Sequence, residues 1–218
     1  MIYKTKELFD LNHTIAKSLL EGCEYPHMAL TEIDEFIKEY SSSLDKSYSE
    51  IYDGVYIADD AIIWNGATII GPAIIGHKTE IRPGAFIRGC VVIGDGCVIG
   101  NSTEVKNSII FDRAQLPHYN YVGDSIIGYS AHMGAGSIAS NLRLDKKEII
   151  LKDDEHSIDS GLRKIGVFLG DYAEIGCGAV LCPGSIVGRE AMVYPLVMVR
   201  GSIRNASIYD GKSIRTKR

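Results

Sequence analysis

The sequence predicts an all-β protein: a parallel β-helix preceded by a small helical segment. Three observations carry that prediction. Apolar residues recur at a strict interval of six, at Ile57, Ile63, Ile69, Ile75, Ile81, Ile87, Ile93, Ile99, Val105, Phe111 and Pro117. An α-helix has a period of 3.6 and a strand a period of two, so neither explains six. A hexapeptide repeat of short strands joined by tight turns does. The interval returns further on, at Leu169, Ile175, Leu181, Val187, Val193 and Val199, and residues 1–50 lack it.

In residues 1–50, Leu8, Leu11, Ile15 and Leu19 are spaced for one helical face, and Leu30, Ile33, Phe36, Ile37 and Tyr40 for another. Thr31 followed by Asp34 reads as the N-terminal cap of the second helix, and Ser41–Ser43 as its end. Their expected role is a cap over the first coil, because an open strand edge invites aggregation. The β-helix is expected over 51–205. Three hexads make one triangular turn, so residues eighteen apart should stack about 4.8 Å apart. Ile57/Ile75/Ile93/Phe111, Ile63/Ile81/Ile99/Pro117 and Ile69/Ile87/Val105 are the expected interior columns. The register breaks between Pro117 and Asp124 and resumes at Ile127 and Met133. Residues 142–164 are highly charged and lose the pattern, which then returns in the phase of Ile127, so they form an excursion from the wall. Residues 206–218 read as a basic, mobile tail.

Composition narrows the chemistry. A net charge of −5 and a pI near 5.7 argue against an electrostatic nucleic-acid binder. No apolar run is long enough to cross a bilayer, and the charged N-terminus is not a signal peptide. The five cysteines lack CxxC spacing and read as reduced thiols of a cytoplasmic protein without zinc.

A β-helix wall is rigid, so chemistry is expected where the repeat is violated. The position after each interior anchor lies at a corner. One such column reads Trp64, Arg82, Gly100, His118, and another Ile70, Arg88, Lys106. Two cations one strand spacing apart call for an anion between them, or else are solvated corner charges. Gly100 would leave a notch between Arg82 and His118. His118 is either a general base or a surface histidine. Gly134 and Gly136 would allow close approach of a ligand or serve as ordinary turn glycines.

In order, residues 82–141 carry RPGA, IGNSTEVKNS, PHYNYVGDSIIG and MGAGSIASN. Over about residues 57–205 the chain resembles the acetyltransferase domain of bifunctional N-acetylglucosamine-1-phosphate uridylyltransferase. The resemblance implies a left-handed β-helix, a homotrimer, and acetyl transfer from acetyl-CoA to the amine of glucosamine 1-phosphate or a similar amino sugar, with no metal required. By motif, His118 is then the catalytic base, Tyr121 a sugar-site residue, Lys106 a phosphate contact and Asn141 an active-site asparagine. Arg82 has the family's R-P-G context, whereas Arg88 has its spacing to the lysine. Gly134, Ala135, Gly136, Ser137 and Cys177 would line an acetyl-CoA groove between subunits. The chain also departs from the pattern. His132 replaces an asparagine that touches the sugar, and Asn141-Leu142-Arg143-Leu144 replaces an N-Y-D-G turn. The nucleotidyltransferase domain has no counterpart, nor does any glycine-rich nucleotide loop. An alternative is therefore a non-catalytic trimeric scaffold or sugar-phosphate-binding partner of a separate nucleotidyltransferase. A third reading is a metal-dependent hydratase with histidine ligands from two subunits.

Overall fold

The computed structural model describes residues 2–153 and 155–217. Positions 154, within the excursion, and 218, at the end of the tail, lie outside the described residues. The chain winds into a left-handed parallel β-helix whose three walls are built from strands two to seven residues long. Successive coils pair in parallel, and the pairing shows which residues stack. The first interior column runs Ile57, Ile75, Ile93, Ile110, Ile127, Leu169, Val187, Ile203. The second begins Ile63, Ile81, Ile99, Leu116 and continues Met133, Ile175, Val193, Tyr209. The third is Ile69, Ile87, Val105, Val122, Ala139, Leu181, Val199. From Ile75 onward most of these side chains are excluded from solvent, and their burial is the main driving force for the prism.

Two expected interior residues lie elsewhere. Ile110 occupies the column position assigned to Phe111, and Leu116 the one assigned to Pro117. The cause is a corner one residue short. Between Val105 and Ile110 the chain turns at Asn107 with φ +42°, and between Val122 and Ile127 it turns at Asp124 with φ +51°. Asn and Asp tolerate this left-handed conformation better than most side chains. Each slip shortens its coil to seventeen residues, so the register breaks once before Pro117, at Asn107, and again at Asp124, the end of the expected break. Phe111 instead faces outward and packs on Phe9, with ring centroids 5.1 Å apart.

The N-terminal segment forms short helical pieces, the longest being Ile33–Ser41. That helix has Glu32 at its N-cap with no side-chain cap bond, so the Thr31 cap does not form. The pieces do not lie over the first coil. They cover a side wall, where Leu8, Phe9, Leu20, Ile33 and Ile37 bury the outward-facing Ile74, Val92, Ile109, Ile126, Phe168 and Ile186. Both ends are instead flanked by antiparallel strands. Tyr48–Tyr52 pairs with Val55–Ala58 at the first coil, and Ile214–Thr216 with Ser207–Tyr209 at the last. The expected tail is thus paired into the last coil. The excursion leaves the wall over a Leu142–Lys164 bridge and folds into a hairpin of Ile150–Lys152 with Ser157–Asp159. Ile149 and Leu151 anchor it by joining the outer apolar layer. Among the described residues no helix is long and apolar enough to cross a membrane, and all five cysteines are free.

Candidate active site

The two short corners build a polar cluster on the third wall. Asn107, Asp124 and Asn141 follow one another at intervals of seventeen residues, one per coil. Asp124 is 5% exposed. Its Oδ1 accepts from Asn107 Nδ2 at 2.9 Å, and its Oδ2 accepts from Asn141 Nδ2. Lys106 Nζ lies 3.5 Å from the same Oδ2. A carboxylate with so little solvent requires such partners. Tyr121 leans over the cluster across Gly123. A Cβ at Gly123 would lie 2.6 Å from the Tyr121 hydroxyl and 2.8 Å from Asn141 Nδ2, so only glycine permits this approach. Burial pushes the Tyr121 phenol up, reinforced by the Asp124 and Glu104 charges and opposed by Asn141, so its hydroxyl keeps its proton.

Arg88 stands in register with Ile70 on the coil below Lys106, as the spacing predicts. No outside anion is needed to hold the two cations together. Arg88 donates to Glu104 at 2.6 Å and lies over the Phe86 ring, while Lys106 faces Asp124. Arg82 sits at a different corner, tied to Glu80 at 2.9 Å, so only Arg88 is brought beside Lys106. Nor is there a notch at Gly100. A Cβ there would fall 1.5 Å from the Pro117 carbonyl oxygen, and His118 stacks on Asn101 instead.

His118 closes the strand Gln115–His118, and Tyr121 opens the next. The His118 ring is exposed and makes no side-chain hydrogen bond among the described residues. The turn between them is held by Asn120, which the sequence reading missed. Asn120 is 2% exposed. Its Oδ1 accepts from the His118 amide at 3.2 Å, and its Nδ2 donates to the Gly134 carbonyl at 2.9 Å. It therefore ties the His118 turn to the MGAGS segment on the next coil. A polar residue at a tight corner between His118 and Tyr121 was the available signal.

Along that segment the backbone amides are not equally free. Gly134 N–H donates to Ile175 O at 2.7 Å, and Gly136 N–H donates to His118 O at 3.0 Å. The Ala135 N–H has no such partner among the described residues. Ser137 is fully buried, and its hydroxyl donates to the Gly134 carbonyl, so it shapes the turn rather than facing a ligand. Cys177 is exposed one coil further on, where Gly178 N–H donates to the Ala135 carbonyl. His132 lies on another wall, bonded to Glu174 at 3.0 Å, and is not brought to the Tyr121 cluster within one chain.

A groove of about 520 Å³ runs between the excursion and the third wall. Its walls include Leu142, Val180, Cys182 and Met198, with Lys152 and Arg200 beside them. Apart from the excursion, the sequence reading passed over these residues. The signal was a stripe of outward positions, Ile138, Val180 and Met198, that are apolar where a solvated wall would be polar. Among the described residues no group of three His, Cys, Asp or Glu side chains is placed to hold a metal ion.

Residues 69–217 match the family model "GMPPB C-terminal domain". A bifunctional sugar-1-phosphate nucleotidylyltransferase/acetyltransferase of Sulfurisphaera tokodaii is 38% identical over 68% of this chain and 37% of its own. A bifunctional protein GlmU of Methanococcus aeolicus is 33% identical over 100% of this chain and 61% of its own. The chain thus spans less than two thirds of these bifunctional relatives. An acetyltransferase YaiX of Escherichia coli, uncharacterized by its name, is 31% identical over 68% of this chain and 71% of its own. Among solved structures, AntD, an N-acyltransferase from Bacillus cereus with dTDP and coenzyme A, is 18% identical, covering 78% of this chain and 89% of that one at a TM-score of 0.36. The chain belongs to the GMPPB C-terminal domain family and resembles the acetyltransferase part of GlmU-like proteins.

Proposed function

We propose that the protein is an acetyl-CoA-dependent N-acetyltransferase whose acceptor is an amino sugar bearing a phosphate. The observation that carries this reading is the corner where Lys106, Asn141 and Tyr121 converge on Asp124, one turn from an unpartnered His118. The apolar groove beside the excursion suits a pantetheine arm, and Lys152 and Arg200 offer counter-charges to the coenzyme's phosphates. The Ala135 N–H, alone of the three successive amides, is available to meet the oxyanion as the amine attacks the thioester carbonyl. His118 takes the proton from the attacking amine, and the thiol of coenzyme A leaves. The acceptor's phosphate replaces Glu104 and Asp124 as counter-charge to Arg88 and Lys106.

The active form is a homotrimer in this reading. His132 and the Tyr121 cluster face outward from different walls of one prism, so a neighbouring subunit is what brings them to one cleft. The exposed stripe of Ile138, Val180 and Met198 gives the subunits an apolar face to share. Acetyl-CoA as co-substrate and the unpaired thiols support a cytoplasmic setting for this activity. The test is thiol release from acetyl-CoA across a panel of amino sugars and their 1-phosphates. His118→Ala should lower turnover at least about a hundredfold, the usual contribution of a general base. Undiminished turnover with a genuine acceptor refutes the assignment. Absence of acetyl-CoA binding by calorimetry would favour a non-catalytic sugar-phosphate-binding module.

A further inference from the structure

Residues 47–77 contain no lysine or arginine, but they carry Glu50, Asp53, Asp59 and Asp60. They form the strand Tyr48–Tyr52 and the first coil, the end of the prism opposite the C-terminal hairpin. The two ends differ. At the last coils the first and third columns finish buried, with Ile203 3% exposed and Val199 fully enclosed, and the second ends on the half-buried Tyr209. At the first coil they open into a cavity of about 630 Å³ between Ile57, Ile63 and Ile69. Ile63 is 37% exposed, whereas Ile81 and Ile99 above it are fully buried. Ile51 and Tyr52 line that opening, while Ile62 and Trp64 flank Ile63 on the outer face of the same coil, each at least half exposed. Tyr48–Tyr52 ends its sheet, with no strand on its outer edge among the described residues.

An apolar opening of this size with a free strand edge has the form of a docking surface. The charges select its occupant. Asp60 is engaged by His77 at 2.9 Å, and Glu50 accepts from the Gly54 amide, which leaves Asp53 and Asp59 facing solvent. A second copy presenting the same end would set carboxylate against carboxylate. Anionic lipid headgroups and nucleic-acid phosphates are repelled for the same reason. We infer that this end of the β-helix receives an extended segment of a different protein, one that alternates basic and apolar side chains. The segment adds a strand to the outer edge of Tyr48–Tyr52, drops an apolar side chain between Ile57, Ile63 and Ile69, and sets its basic side chains against Asp53 and Asp59. The site lies at the prism's end, apart from the Asp124 cluster, and does not depend on the acetyl-transfer reading.

Trp64 is the only tryptophan and follows Ile63 on the first coil, half exposed with its indole N–H donated to Glu80, so its fluorescence responds to a segment docked at that end. The full chain is titrated with a synthetic peptide alternating lysine with valine or isoleucine. A second peptide has every lysine replaced by glutamate. Saturable blue-shifted emission is expected with the basic peptide by about 100 µM, and none with the acidic one. Raising salt from about 0.05 to about 0.5 M should weaken the binding. Ile51→Glu, at an exposed edge position, should weaken it roughly tenfold while leaving the melting temperature in place. No shift with either peptide, or equal shifts with both, overturns the inference. Sedimentation of the free protein as end-to-end assemblies that Ile51→Glu dissolves would also overturn it, since the occupant would then be a second copy.

Discussion

Replacing Asp124 by asparagine tests whether this buried carboxylate holds the cluster together. The side chain keeps its shape and one carbonyl oxygen, so Asn107 or Asn141 retains an acceptor, but not both. The other amide then meets an N–H2, a buried bond left unmade that costs about 1–3 kcal/mol. Lys106 also loses its counter-charge. At 3.5 Å and an effective dielectric of about 20 the Coulomb term is roughly 5 kcal/mol. Most of that offsets the desolvation of Asp124 and of a lysine only 21% exposed. A net loss of about 2–4 kcal/mol is expected, which lowers Tm by roughly 5–15 °C for a chain of this size. Thermal and urea unfolding of Asp124→Asn, Asn107→Ala and the double variant measure it. The two substitutions share a hydrogen bond, so their effects should fail to add by more than about 0.5 kcal/mol. If Asp124→Asn melts within about 2 °C of the parent, or the two effects simply add, Asp124 does not organise the corner.

Three further outcomes follow from the same geometry. Phe111→Ala should cost about 3–5 kcal/mol, and hydrogen exchange should show the protection lost first from the N-terminal helices. Protection lost first from the coils instead would place Phe111 in the interior. Burial raises the Asp112 carboxyl above its ordinary range, with the Asp95 charge adding to it and the hydrogen bond from the Asp95 amide opposing. An acid whose folded pKa is raised contributes stability at low pH, and that contribution is lost as the pH rises through the raised value. Asp112→Asn keeps the acceptor, as Asn205 does for the Arg189 amide, so it should be at least as stable as the parent at pH 7 and should lack that loss in urea titrations from pH 4 to 7; a variant markedly weaker at pH 7 would show that the charge is needed. Lys152→Ala with Arg200→Ala should raise KM for acetyl-CoA by about tenfold or more while leaving kcat nearly unchanged, and an unchanged KM would remove the groove from the coenzyme.

The three columns were legible because an aliphatic prism tolerates only apolar side chains at one position in six. Where the reading slipped, the reason is physical. Ile109, Ile110 and Phe111 are all apolar, and so are Leu116 and Pro117, so six-residue spacing cannot say which of them faces inward. Alternation between apolar and polar faces would normally decide. At Ile109–Phe111 it is erased, because the N-terminal helices cover the outward side of that wall and demand apolar residues there as well. The pairing of Arg88 with Lys106 was legible from coil spacing. The carboxylates that answer them were not, because Glu104 belongs to the strand beside Arg88 and Asp124 approaches Lys106 only through the shortened corner.

That corner connects the two failures. A regular eighteen-residue coil would have kept Phe111 inside and given the third wall a uniform edge. Shortening two successive coils at Asn107 and Asp124 turns both residues into left-handed corners stacked one above the other, with Asn141 next in line. The shift that puts Phe111 on the outside, where it binds the helical layer, therefore also gathers the donors and the buried carboxylate around Lys106. Restoring the missing residue tests this coupling. An alanine inserted between Lys106 and Asn107 puts Ile110 a regular six residues after Val105, so Phe111 should keep its place against the N-terminal helices while the lengthened corner breaks the Asn107–Asp124 bond. Helices that lose their protection from exchange after the insertion, or a cluster that keeps its Asn107–Asp124 bond, would show that the short corner does not set these two features.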